Sequence, residues 1–257
     1  MRISKSKFVA GAQCLKRLYL QVHQPELAAE PDASGKAIMD QGQEVGLLAH
    51  RLFPGGVKVE GSAGLEQAIR ATRELVANRE VPAIFEATFE HGDVLVRTDV
   101  LKRSDRGFDL TEVKSSTKVK PEHTDDVSIQ KYVMGGCGLK VSNMNVMHLS
   151  RDYVYDGTLG VDGRRVYDIS RLFAAEEVQP HSDGLVSRTL DEQFKMLGQP
   201  QPPNVEPSTA LSTHCQCICS ILQGPGHLHG NKAVASQILR PFQSRYGSTH
   251  RESSSRR

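Results

Sequence analysis

The stretch DLTEVKSSTKVK, residues 109–120, decides how this chain is read. Its β-branched run predicts a strand, on which Glu112 and Lys114, two residues apart, emerge on one face. Asp99 lies thirteen residues before Glu112, near the end of another apolar run, VLVRTDVL. Residues 83–89, 94–101 and 107–115 all alternate as strands. They are separated by His91-Gly92-Asp93 and Ser104-Asp105-Arg106-Gly107, turns short enough for an antiparallel meander. Two carboxylates and a lysine gathered at the edge of a small sheet are what metal-assisted phosphodiester hydrolysis requires. The carboxylates hold Mg²⁺ or Mn²⁺, which polarises a phosphate and acidifies a bound water. The lysine orients that water or stabilises charge in the transition state. Taken alone, E-x-K is a short motif, and a solvated edge strand bearing two charges fits it as well.

Helical periodicity surrounds these strands. Residues 6–21 read as an amphipathic helix with Phe8, Cys14, Leu15 and Leu18 on its apolar side. Residues 37–52 form a second, stopped by Phe53-Pro54-Gly55-Gly56, and residues 64–78 a third, with Leu65, Ile69, Thr72 and Val76 on one face. After the meander, residues 125–134 read as helix, 141–149 as strand, and 167–197 as helix broken near Pro180. Helices, three strands, helix, strand is the order of an α/β protein, a mixed sheet flanked by helices.

Composition bounds the rest. With 257 residues, 38% hydrophobic and 24% charged, the chain can bury one substantial core. It has no apolar run of about 18 residues, so no membrane partner is expected. The opening MRISKSKFVAGAQCLKRLYL lacks the apolar segment of a secretory signal, making the cytoplasm the default location. A net charge of +2 does not by itself indicate nucleic acid. Residues 1–20, however, carry Arg2, Lys5, Lys7, Lys16 and Arg17 and no acidic residue, which suits either a phosphate backbone or a solvated basic helix. The five cysteines, Cys14, Cys137, Cys215, Cys217 and Cys219, argue against a disulfide framework by their odd number.

The order Glu44, Asp99, Glu112-Val113-Lys114, Gln130 resembles the RecB-type branch of the PD-(D/E)XK nucleases, which includes CRISPR-associated iron–sulfur exonucleases. More specifically, the chain is similar to the N-terminal nuclease module of a poorly characterised bacterial family. The matching blocks are ISKSKFVAGAQCLKRLYL, GQEVGLLAHRLFPGG, IFEATFEHGDVLVRTDVL, DLTEVKSSTKVKPEHTDDVSIQKYVM and GLKVSNMNVMHLSRDYV, which span residues 1–155, with a looser match to about residue 205. The resemblance implies a restriction-endonuclease-like fold over residues 1–205, with Asp99 and Glu112 as metal ligands joined by the Val113 carbonyl. It makes Lys114 the catalytic lysine and sets Gln130 on the following helix beside the scissile region. The tyrosine common in this branch falls four residues after that glutamine, where Met134 stands here; Tyr132 is the nearest substitute. From the second helix Glu44 is the expected further metal contact, with His50 as the other candidate. His91, His123 and His148 read as ordinary surface or core histidines.

Iron–sulfur members of the branch join one N-terminal cysteine to three near the C-terminus. Cys14 matches the first, although Leu15 stands where a proline usually follows. The remaining ligands would be Cys215, Cys217 and Cys219 in HCQCIC, a spacing too tight for thiolates that must reach different irons. Beyond the linker QPQPPNVEP the texture becomes irregular, and residues 206–257 form a Cys/His/Ser-rich tail. Either it is a natural disordered segment that binds transition metal, or the reading frame changes near residues 207–214. The expected function is a divalent-metal-dependent deoxyribonuclease acting on single-stranded or end-containing DNA. The alternative is a catalytically inactive nucleic-acid-binding or metal-binding module, truncated relative to its family.

Overall fold

The structure is a computed structural model that describes residues 1–204 apart from Ala63. The predicted tail, with Cys215, Cys217 and Cys219, lies outside the described residues. In chain order the elements begin with β1 (Ile3–Ser4), α1 (Lys5–Gln13), α2 (Leu15–His23), α3 (Ala33–His50), β2 (Val57–Lys58) and α4 (Leu65–Ala77). The meander β3 (Ala83–His91), β4 (Val94–Ser104) and β5 (Gly107–Lys114) follows. Then come α5 (Pro121–Gly136), β6 (Val141–Leu149), α6 (Ile169–Leu172), β7 (Phe173–Glu177) and α7 (Asp183–Leu197).

These strands form one seven-stranded mixed sheet in the order β2-β3-β4-β5-β6-β7, with β1 also paired to β4. The pairs β3–β4 and β4–β5 are antiparallel, as the short turns predict. Strand β6 runs parallel to β5, so the chain must cross back over the sheet, and α5 makes that crossing. Helices α1, α2, α4, α5 and α7 cover one face, burying Phe8, Leu18, Ala68, Val127, Ile129, Met134 and Leu190 against Ile84, Val96, Leu101, Leu110 and Val146. Helix α3 covers part of the other, where Val45 joins the cluster of Leu149, Tyr153, Tyr167 and Leu172. The molecule is therefore α/β, a mixed sheet flanked by helices. Among the described residues no helix is long and apolar enough to cross a membrane.

Three local readings change. The expected helix over residues 6–21 is two helices, because Cys14 adopts an extended conformation (φ −163°) that ends α1 and starts α2. Residues 167–197 are not one broken helix: Phe173–Glu177 is a strand on the free side of β6. Its sequence, FAAEE, favours helix locally, and pairing with β6 overrides that preference. Helix α7 then starts at Asp183, where the Ser182 hydroxyl accepts the Leu185 N–H. Finally, β4 and β5 are interior strands rather than the sheet edge expected for Asp99 and Glu112.

Candidate active site

The site exists because the ladder around β4 is incomplete. One edge of β4 is taken by β3 over Val94–Lys102. The other is shared, with β5 pairing from Val100 to Ser104 and β1 pairing only at Val94 and Leu95. Residues 96–99 are left between the two partners, and β5 diverges from β4 just beyond the pair Val100–Thr111. In that opening the Asp99 carboxylate replaces a strand acceptor: the Val113 N–H donates to Asp99 Oδ2 at 2.7 Å.

The same point is irregular toward β3. Glu86 and Asp99 stand opposite one another between the pairs Phe85–Val100 and Ala87–Thr98, and neither enters the ladder. Glu86 has a φ of 57°, a left-handed conformation unusual for a glutamate inside a strand. Core positions accordingly change phase. Ile84, then Ala87 and Phe89, face the main core, a three-residue step in a strand whose side chains repeat every two. This break re-aims the backbone beside Asp99, as irregularities in strands near functional sites do.

Glu112 is 2% exposed and accepts four hydrogen bonds. Lys5 Nζ donates to both of its oxygens at 2.8 Å, Lys114 Nζ to Oε1 at 2.9 Å, and Gln130 Nε2 to Oε2 at 2.8 Å. Lys114 also bonds Asp126 Oδ2 at 2.5 Å, and Gln130 Nε2 reaches the Asp126 carbonyl at 2.9 Å. Each side chain comes from a different positioning device. The period of β5 puts Glu112 and Lys114 on the face that also carries Phe108 and Leu110. The four-residue spacing on α5 puts Asp126 and Gln130 above them. Lys5 is the first residue of α1, directly after β1, so β1's pairing with β4 delivers it to the opening.

Electrostatics follow from three carboxylates and two ammoniums packed together, with Glu112 and Asp126 buried and Asp99, Lys5 and Lys114 half-buried. Burial works to raise the Glu112 carboxyl, but Lys5 and Lys114 outweigh it and hold the group at about 2. Asp99 goes the other way: burial and then the Glu112 charge push it up to about 7, against the opposing pull of Lys5 and the Val113 N–H. Asp126 is also raised, by burial and then Glu112. Burial would lower both lysines, yet the surrounding carboxylates, Glu112 foremost, leave each raised above its ordinary value. Lys114 is therefore an ammonium at neutral pH, suited to donating hydrogen bonds and not to removing protons. Beside the site, His123 is brought down to about 4 by burial and then by Lys114. Its Nδ1 accepts the Lys120 N–H at 3.2 Å, closing the first turn of α5.

Asp99, Glu112, Val113, Lys114 and Gln130 are brought together. Glu44 is not: it is an exposed residue of α3 whose charge acts on Tyr167. His50, the other candidate on that helix, lines a cleft of about 520 Å³ with Gly42, Gly46, Lys58, Glu86, Asp99 and Val113. Its ring stacks on Phe85 with centroids 3.9 Å apart. Tyr132 also lies apart from the carboxylates, packed edge-on against His91 at the β3–β4 turn. Cys14 is buried between α1 and α2, beside a second cleft lined by Phe8, Asp125, His181 and Val186. Sequence reasoning missed Asp126 and Lys5. Asp126 was within reach as the residue one turn before Gln130, whereas Lys5 carried no local signal beyond a basic N-terminal stretch.

Among the described residues no three His, Cys, Asp or Glu side chains are arranged to hold a metal ion. The pair Asp99 and Glu112 still fits a hard divalent cation in donor type and charge, since Mg²⁺ is commonly held by one or two carboxylates and keeps several waters. The positive charge of Lys5, chelated by Glu112 and acting on Asp99, marks the opening as a place that holds a cation. An iron–sulfur cluster does not follow from Cys14, the one cysteine of the proposed set among the described residues.

No protein-family model matches the chain, and no curated protein matches it. Among solved structures it is similar to one described as "Crystal structure of SSO0001", at 13% identity and a TM-score of 0.45, over 89% of this chain and 88% of that one.

Proposed function

We propose that the chain is a divalent-metal-dependent nuclease that hydrolyses phosphodiester bonds of DNA, acting on single-stranded or end-containing substrates. The observation that carries this reading is the convergence of Asp99, Glu112, Lys114 and Gln130 at the opening between β4 and β5. Asp99 and Glu112 would hold Mg²⁺ or Mn²⁺, which when bound polarises a phosphate oxygen and acidifies water. Lys114, fixed by Asp126 and permanently charged, stabilises negative charge developing on the phosphate. Gln130 holds the amide nitrogen on Glu112, while its Oε1 is buried with no hydrogen-bond partner. The cleft beside Asp99, bordered by His50 and Lys58, gives a phosphate backbone a path to the site.

One observation favours a second reading, a nucleic-acid-binding module without turnover. Glu112 is fully satisfied by Lys5, Lys114 and Gln130, so the site is stable without a cation. Cleavage of end-labelled single- and double-stranded DNA in Mn²⁺, Mg²⁺ or EDTA separates the two. Metal-dependent products, lost in Lys114→Ala variants that retain the wild-type circular dichroism spectrum, are expected. Salt-sensitive binding of DNA with no products from folded protein would refute the nuclease reading and leave the second.

A further inference from the structure

We infer that Lys5 is a displaceable placeholder for the cation: its ammonium fills the carboxylate opening, leaves when a divalent ion binds, and so weakens the site's affinity for metal. This rests on the reading of Asp99 and Glu112 as a cation site. Lys5 Nζ is chelated symmetrically, 2.8 Å from each oxygen of Glu112, and its charge also acts on Asp99 and Asp126. That is the coordination a metal would seek from the same carboxylates. A carboxylate offers about four acceptor positions. On Glu112 all four are used, two by Lys5 and one each by Lys114 and Gln130, so a cation gains access only if a donor withdraws.

Lys5 is the donor free to do so. Lys114 has a second anchor in Asp126, and Gln130 has one in the Asp126 carbonyl. The hydrogen bonds of Lys5 among the described residues are to Glu112 alone. It stands at the first position of α1, where the helix dipole disfavours a positive charge, on a flexible four-carbon stem. Its side chain is 19% exposed, so a route to solvent already exists. A metal-free enzyme thus keeps its carboxylates neutralised and the opening between β4 and β5 intact.

Calorimetric titration of Mn²⁺ into the full chain tests this, using wild type and Lys5→Met, each with and without Asp99→Asn. Lys5→Met is expected to bind the Asp99-dependent ion roughly tenfold or more tightly than wild type, as loss of a competing charge a few ångströms away requires. Equal or weaker Asp99-dependent binding in Lys5→Met overturns the inference while leaving the cation site standing. Absence of Asp99-dependent binding in both proteins removes the cation site itself, and the inference with it. A measurement on unaltered protein covers a variant that does not fold. Acylation of the Lys5 amine, followed by peptide mass spectrometry, is expected to be slow without metal and several-fold faster at saturating Mg²⁺. Labelling at an unchanged rate, with Asp99-dependent binding of the ion established, refutes displacement.

Discussion

Replacing Glu112 by glutamine removes one charge and almost no volume, so its cost measures the ion pairs at the site. Glu112 is buried, and its carboxyl is held at about 2 against an ordinary 4.5. Because the folded value is depressed, the associated stability is fully present above 4.5 and is lost as pH falls from there through 2. That lowering corresponds to about 3 kcal/mol at neutral pH. Breaking a buried ion pair from one side costs about 3–5 kcal/mol by independent reasoning. Two features reduce the loss: Lys114 keeps Asp126, and Asp99 is relieved of a neighbouring charge. We therefore expect Glu112→Gln to lose about 2–3 kcal/mol at pH 7, and less as pH falls below 4.5. Adding Lys5→Met should recover about 1 kcal/mol or more by removing the stranded ammonium. The chain contains no tryptophan, so urea unfolding is best followed by far-ultraviolet circular dichroism. A change below about 0.5 kcal/mol, the value for an exposed pair, would refute the electrostatic account of the site.

Three further outcomes follow from the same geometry. Asp99 has a raised folded value, so its stabilising share is complete below its ordinary 3.8 and disappears as pH rises through about 7. Asp99→Asn should consequently be more stable than wild type at pH 8 in EDTA, by about 1–2 kcal/mol after solvent screening, and the order should reverse in saturating Mn²⁺; thermal unfolding in the two buffers checks it. His123 is held neutral, with its folded value depressed to about 4, so wild type should lose stability as pH falls from about 6.5 toward 4, and His123→Gln should flatten that slope in urea titrations. Gln130→Leu should cost about 1–3 kcal/mol in urea unfolding, because it removes the amide that donates to the buried Glu112 carboxylate and the Asp126 carbonyl, and should slow DNA cleavage in single-turnover assays of folded protein.

The strongly periodic parts of this fold were legible in the sequence because each carried its own signal. The meander was marked by alternation and two short turns, and β6 and α4 kept nearly the predicted bounds. What escaped depends on distant chain. Two-residue β1 has no period to detect, yet it brings Lys5 to Glu112, 107 residues away. Strand β7 reads as helix until β6 is beside it. At the site, Asp99, Glu112 and Lys114 were legible from strand spacing and from the family resemblance together. The family resemblance offers a His or Glu on this helix without saying which, and the orientation of α3 against the sheet turns the face carrying His50, not Glu44, toward Asp99. The positive φ of Glu86, which accompanies the break beside Asp99, has no sequence mark because glycine would be the usual residue there.

The proposed activity requires Asp99 and Glu112 to share one divalent cation. Anomalous diffraction from crystals of the full chain soaked in Mn²⁺ would locate that ion. One strong peak is expected within about 2.0–2.3 Å of a carboxylate oxygen from each residue, with the Lys5 ammonium moved off Glu112. A peak elsewhere, or Lys5 still chelated by Glu112 in crystals whose carboxylates hold no manganese, would contradict it.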